Sequence, residues 1–178
     1  MAKLSQSCLP LALAMGLVLP CFLSAASRTT SYDSMQGRTQ LNEIKDSAYS
    51  IERAVGNLGQ KTQYGIVDWH MQTFALNQVK ADVNNISKDI RHMDKMKGEL
   101  TPWEQRELKR ITPLEVEMAD ATTDAIHDVN QRANFPNPPL AMQFNVISEK
   151  AQAVNQSVNE SEKVANLRNE VTGLKRAA

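Results

Sequence analysis

Cysteine is confined to the start of the chain. Of 178 residues only Cys8 and Cys21 are cysteines, so everything after residue 21 lacks a thiol. That absence excludes disulfides, thiolate metal sites and cysteine nucleophiles from this later part. Without cross-links the fold must be held by a hydrophobic core, and roughly 150 residues are enough for one domain with such a core.

An excess of charge of either sign is lacking as well. The chain has 20 basic and 20 acidic residues. This balance gives no electrostatic reason to expect binding to nucleic acid or to an anionic membrane surface. We therefore predict neither as a partner.

The sequence has one long hydrophobic run, from Leu9 to Leu23. Lys3 precedes the run, and the small residues Ser24-Ala25-Ala26 follow it. A positive charge, an apolar stretch and small residues in this order are typical of a secretory signal peptide. We predict that residues 1–26 are a leader cleaved after Ala26, which places the protein in the bacterial periplasm or outside the cell.

An uncleaved membrane anchor is the alternative for this run. Pro10, Gly16 and Pro20 interrupt it, and it is shorter than the roughly 20 apolar residues that usually span a bilayer. These features favour cleavage. We expect no membrane span to remain after cleavage and residues 27–178 to form a single domain.

Glycine and proline are scarce after the leader, and the chain between them has the pattern of long helices. Apolar residues recur at steps of three and four, which places them on one side of a helix. The spacing predicts a first helix over 34–58, ended by Gly59, and a second over 66–97 with a heptad pattern of the coiled-coil type. The expected core positions are Leu41, Ile44, Ala48, Ile51, Val55 and Leu58, then Trp69, Leu76, Val79, Val83, Ile86, Ile90, Met93 and Leu100.

A third helix is predicted from Pro102 to about residue 132. Thr101 can cap its first turn, and Glu104 can complete a capping box. Pro113 falls inside this helix, where proline removes a hydrogen bond and clashes with the preceding turn. We therefore expect the helix to be kinked or split near Pro113. Its apolar side consists of Leu108, Ile111, Met118, Thr122, Ala125 and Val129.

The proline-rich segment 134–139 predicts a turn before a fourth helix over 140–174. Its apolar side consists of Phe144, Ile147, Ala151, Val154 and Val158, and it is expected to resume after Ser161 with Val164, Leu167, Val171 and Leu174. Nothing alternates with a period of two over a useful length. The pattern predicts an all-α fold, an antiparallel four-helix bundle of long amphipathic helices. The alternative is a helical hairpin that completes its core by dimerising.

Histidine is the residue type through which a cofactor would bind, and the chain has His70, His92 and His127. The helical pattern places all three outside the apolar sides, whereas haem and metal ligands of such bundles project into the core. We therefore predict no cofactor and no metal. Folding helices two and three into a hairpin brings His70 level with His127, so a haem or metal site there is the alternative.

Sequence motifs of known catalytic chemistry are lacking too, among them the nucleophile elbow, the glycine-rich phosphate loop and the zinc-protease helix motif. We predict that the protein is not an enzyme. The exported bundle is instead expected to act through protein–protein contact in the cell envelope, with an unidentified partner or by self-association.

A short stretch resembles a known family. Leu100 and Thr101, followed by Glu104 and Gln105, resemble the Leu-Thr-x-x-Gln signature of small periplasmic stress chaperones. Glu104 stands at the position of the glutamine, and Gln105 comes one residue later. The resemblance covers six residues and coincides with the predicted helix cap. It implies a helical holdase as a further alternative.

The leader is tested by the amino terminus of the protein purified from a bacterial host that expresses the complete sequence. We expect mass spectrometry to find Ser27 as the first residue. Because signal peptidase requires a small residue before the cleaved bond, Ala26→Phe should leave most of the chain uncut. A wild-type protein that keeps residues 1–26 would show the prediction to be wrong.

Overall fold

A computed structural model describes residues 30–63, 69–131 and 140–177, which form four helices. Helix α1 spans Thr30–Gln63, α2 spans Trp69–Lys95, α3 spans Pro102–Gln131 and α4 spans Ala141–Ala177. None of the residues in these ranges belongs to a strand. The predicted leader, residues 1–26, and the predicted turn at 134–139 lie outside the described residues.

Helices α1 and α2 run antiparallel. Gln36 near the start of α1 contacts His92 near the end of α2. Further along α1, the Ser50 hydroxyl donates a 2.8 Å hydrogen bond to Asp82, which lies earlier in α2. Residue numbers therefore rise along one helix as they fall along the other.

The same relation holds between α4 and both of its neighbours. Gln143 near the start of α4 donates to Asp128 near the end of α3, and Ser161 donates to Glu107 near the start of α3. On the other side of α4, Lys45 Nζ lies 3.1 Å from a carboxylate oxygen of Glu162. Each helix contacts the next along the chain, and α4 contacts α1, so the predicted antiparallel four-helix bundle is confirmed.

The core consists of the apolar residues that the sequence predicts on one side of each helix, in the first three helices and in the first half of the fourth. Apart from Trp69, whose side chain lies outside the described part, every predicted position up to Val158 is buried. The two heptad positions of α2 continue through the turn that follows it as far as Leu100. Together these residues make one continuous cluster between the four helices.

Several helix boundaries differ from the prediction by a few residues. Helix α1 does not end at Gly59 but continues to Gln63. A glycine in a helix interior costs about 1 kcal/mol relative to alanine, which is too little to end a helix held by packing on its neighbours. The predicted start of α2 at residue 66 lies outside the described residues. Helix α2 ends at Lys95 rather than at residue 97, before a tight turn in which Glu99 N donates to Met96 O.

Helix α3 starts with the predicted capping box and continues through its proline. Glu104 Oε2 accepts hydrogen bonds from the backbone N–H of Thr101, at 2.7 Å, and from its hydroxyl, at 2.6 Å, while Glu104 N lies 3.5 Å from the same hydroxyl oxygen. Pro113 lies inside a single helix, so two separate helices are excluded. Pro113 is exposed, so water can reach the backbone carbonyl that proline deprives of a partner.

The prediction for the second half of α4 is wrong. Val164, Leu167, Val171 and Leu174 do not resume the core line but are exposed, and Ala165 is the buried one among the described side chains in this part of the helix. The reason is geometric. Val164 comes six positions after Val158, and at about 100° per residue this step leads about 120° around the helix, away from the core side.

Close packing of α1 on the start of α3 depends on Gly37. A Cβ atom on this buried residue would lie 2.6 Å from Glu104 Oε1 and 3.0 Å from Leu100 Cδ2. Glu104 has little freedom to move aside, because its side chain is fully buried and its other oxygen holds Thr101 in the capping box. Only glycine allows α1 to come this close.

We expect Gly37→Ala to lower the free energy of unfolding by about 1–3 kcal/mol, the usual cost of overpacking. Gly56→Ala is the matched control, since Gly56 is exposed in the same helix and a Cβ there would meet nothing within 4 Å. This second change should stabilise the protein by about 0.5–1 kcal/mol through helix propensity. Urea unfolding followed by circular dichroism measures both, and equal stability of the two variants would exclude the tight contact.

Candidate functional site

All three histidines are exposed, as the sequence predicts. His127 Nε2 lies 2.7 Å from the Gln131 side-chain nitrogen, one turn later in the same helix. His92 Nε2 lies 3.3 Å from the Gln36 side-chain nitrogen of α1. The imidazoles thus lie on the surface of the bundle rather than in its core, where bundle cofactors usually have their ligands.

His70 and His127 are nearly level but lie in different surroundings. The contact of Ser87 with Glu115 sets the register of α2 and α3, and it places His127 about five residues, or roughly 7 Å, along the axis from His70. His70 lines an apolar groove with α1, whereas His127 contacts its own helix. Among the described residues no group of three or more His, Cys, Asp or Glu side chains could hold a metal ion. The haem or metal alternative stays a prediction.

The groove beside His70 is the most apolar depression described. It has a volume of about 540 Å³ and lies between the end of α1 and the start of α2. Phe74, the most exposed large apolar residue of the described part, forms part of its rim. The other lining residues are Ala54, Asn57, Leu58, Met71 and Ala75.

A second groove between α1 and α2 carries charges of both signs. It surrounds Asp89, and its volume is about 380 Å³. Partial burial and the neighbouring carboxylate of Glu43 raise the pKa of Asp89 above its ordinary value, while Lys88 and His92 act in the opposite direction. Its lining includes the basic side chains of Lys88, Arg91 and Lys95 as well as the two carboxylates.

The burial of three glutamates on the core side of α3 was not predicted from the sequence, although Glu104 was predicted in the capping box. Glu104, Glu107 and Glu115 are buried. Ser161 of α4 donates to Glu107, and Ser87 of α2 donates to Glu115. Their positions fall on the same three-four spacing as the apolar side of α3, and this spacing is the signal that could have identified them. Each glutamate has its own partner on a different element, so the three do not form a common site.

The most continuous exposed apolar surface lies on the second half of α4. Val164, Leu167, Val171 and Leu174, which we call the α4 stripe, are between 51 and 72% exposed. Their spacing of three, four and three residues repeats the heptad pattern of a coiled-coil seam. By helical geometry the stripe lies on the side of α4 opposite the core residues Val158 and Ala165. A seam of this kind is available to a helix from outside the bundle.

Comparison of the chain with protein-family models, with curated proteins and with solved structures finds no match. Across the described ranges, no helix combines the length and the apolar character needed to cross a bilayer.

The raised pKa of Asp89 gives a pH dependence of stability. A carboxyl group that binds its proton more tightly in the folded state stabilises the fold below its unfolded pKa, near the ordinary value of 3.8, and this contribution is lost as the pH rises through the folded pKa. We therefore expect Asp89→Asn to raise the free energy of unfolding at pH 7, by less than about 1 kcal/mol for so accessible a group. The gain should shrink toward pH 4.

Urea unfolding at both pH values measures this effect. Asp120→Asn, at an exposed position on α3, serves as the control for the removal of one negative charge. A loss of stability in Asp89→Asn at neutral pH would mean that the ionised carboxylate favours the fold, contrary to the expectation.

Proposed function

We propose that the protein acts without catalysis, by binding another protein chain in the cell envelope through the α4 stripe. The proposal is based on the exposure of four large apolar side chains in one continuous line. Single apolar residues are common on protein surfaces, but a continuous patch usually marks an interaction site. The envelope location rests on the predicted leader, residues 1–26.

The form of the stripe suits a helical partner. Seams with this spacing receive the side chains of another helix between their own, as knobs fit into holes. Helix α4 is already formed by its packing in the bundle, so binding need not order this segment first, and the entropy cost of association falls accordingly. The remaining polar features support contact rather than chemistry, because the buried glutamates and the exposed histidines each have separate local partners.

A second candidate function is the binding of haem or of another apolar ligand in the groove beside His70. It is favoured by the groove's volume of about 540 Å³, which is within the range of about 300–1,000 Å³ of small-molecule sites, and by an imidazole at its edge. The holdase alternative has less support. Thr101 and Glu104, which carry the resemblance to stress chaperones, form the capping box of α3, and this role accounts for both residues.

The test is capture from cell envelopes with tagged protein that has been exported by its own leader and chemically cross-linked. Wild type is compared with Val171→Asp on the stripe and with Val116→Asp on α3. These two valines are matched, at 51 and 50% exposed. We expect a specific cross-linked chain to be recovered with wild type and with Val116→Asp, and to be reduced at least tenfold with Val171→Asp, which places a charge in the apolar seam.

Equal recovery from all three proteins would refute binding through the stripe. The absorbance spectrum of the same preparations tests the second candidate. A Soret band that disappears in His70→Ala would favour haem binding over protein contact.

A further inference from the structure

Another groove, which we call the α1–α4 groove, lies between the first and the last helix. Its volume is about 390 Å³, and none of its eight lining residues is aliphatic. On each helix the lining residues extend over seven positions, or about 10 Å along the axis, which is close to the length of a disaccharide. The lining residues are Lys45, Asp46, Tyr49, Glu52, Gln152, Asn155, Gln156 and Asn159.

Helix α4 lines this groove with four side-chain amides. The amide of Asn155 contacts the backbone of α1, which ties the two helices together. Gln152, Gln156 and Asn159 are exposed and form no hydrogen bond with the rest of the described chain. Each of these amides has two N–H donors and an oxygen that accepts. The groove therefore offers unused donors and acceptors side by side, about one helical turn apart.

Helix α1 adds an exposed aromatic ring to the groove. The side chain of Tyr49 is large and mainly apolar, yet the residue is 56% exposed. Arg53, one turn later, has its Cζ atom 5.9 Å from the centre of the ring, and this attraction limits the motion of the ring. A tyrosine ring offers an apolar face and a hydroxyl group at its edge. It suits a ligand that is apolar on one face and polar around its rim.

The charges of the groove disfavour an anionic ligand. Among the eight lining residues Lys45 alone is basic, and its Nζ is held by Glu162 at 3.1 Å. Asp46 and Glu52 contribute two carboxylates. A carboxylate accepts hydrogen bonds from hydroxyl or amide groups and repels other negative groups. The groove therefore favours a neutral ligand that carries many hydroxyl or amide groups.

We propose that the α1–α4 groove binds a neutral oligosaccharide. A pyranose ring has a face of C–H groups, which packs on an aromatic ring, and a rim of hydroxyl groups, which both donate and accept hydrogen bonds. Tyr49 provides the ring for the face, and the amides and carboxylates provide partners for the rim. N-acetylated sugars bring an amide of their own, which pairs with a glutamine or asparagine amide in both directions. The site lies before the α4 stripe and does not depend on the proposed function.

Binding to a single groove of this kind is weak. A sugar hydroxyl gives up hydrogen bonds to water when it bonds to the protein, so each exchange gains little free energy. We therefore expect a dissociation constant on the order of 1 mM for a tetrasaccharide. A polymeric glycan repeats its unit many times, so a protein that leaves one unit meets the next at high local concentration.

The experiment is a titration of the purified, isotope-labelled protein followed by two-dimensional NMR, which resolves the side-chain amides of asparagine and glutamine. The probes are chitotetraose, an oligomer of N-acetylglucosamine, and cellotetraose, which has the same linkage without acetyl amides. We expect the side-chain signals of Gln152, Gln156 and Asn159 to shift with both sugars, and that of Asn77 on α2 to stay in place. The proposal is overturned if these three signals shift with neither sugar well above the expected dissociation constant.

Two pairs of variants test the contacts. Tyr49→Ala should weaken binding about three- to tenfold, while Phe74→Ala, which removes an exposed ring of α2, should bind as wild type. Asn159→Asp replaces two donors by a carboxylate of the same shape and should weaken binding about three- to tenfold. Asn77→Asp makes this change at an exposed position of α2 and should have no effect. Wild-type affinity in Tyr49→Ala or in Asn159→Asp overturns the proposal, provided that circular dichroism shows intact helices.

Co-sedimentation with purified peptidoglycan, whose strands consist of N-acetylated sugars, identifies the source of the glycan. Protein that binds chitotetraose and also sediments with peptidoglycan recognises the wall polymer, and Tyr49→Ala should then remain largely in solution. Protein that binds chitotetraose alone recognises free oligosaccharides. Both results support the groove. Polygalacturonate is the anionic control, and tighter binding of this glycan than of chitotetraose overturns the proposal.

Discussion

The burial of one apolar line from each helix against the other three is the constraint on which this fold depends. No disulfide is possible after residue 21, and full burial of each large apolar side chain contributes about 1.5–3 kcal/mol. The polar contacts between helices, such as Lys45 with Glu162 or Ser50 with Asp82, lie at the edges of this core. The ion pair of Lys45 with Glu162, whose side chains are 24 and 28% exposed, contributes little stability. Asp82 is buried, and there the hydrogen bond from the Ser50 hydroxyl satisfies the carboxylate.

The sequence predicts the core well because helical geometry repeats every 3.6 residues, and apolar residues at steps of three and four must share a side. It predicts helix ends less well. Gly59 is a local signal for an end, but packing of the preceding residues, up to the buried Leu58, outweighs its small cost. At Thr101 and Glu104 the signal is also local, and there it is correct, because a capping box is satisfied by residues three apart without help from another helix.

Buried polar residues could not be assigned before the helices were paired. Glu107 and Glu115 occupy core positions by spacing, yet glutamate is ordinarily a surface residue. Whether such a side chain can be buried depends on a donor from a neighbouring helix, here Ser161 for Glu107 and Ser87 for Glu115. The sequence shows the position but not the partner. The burial of the α4 stripe was wrongly predicted for a related reason. Three-four spacing shows that its residues share one side of α4, but which side depends on the step from Val158 to Val164.

Helix α4 differs from the others because it has two apolar lines on opposite sides. The first runs from Phe144 to Val158 and on to Ala165, and the bundle buries it. The second begins at Val164 and stays exposed. Ser161 lies between the two lines, and its hydroxyl donates a hydrogen bond to Glu107 of α3. If the second line lay on the same side of α4 as the first, the bundle would bury both. Because the apolar line changes sides near Ser161, the bundle buries the first line and leaves the second exposed.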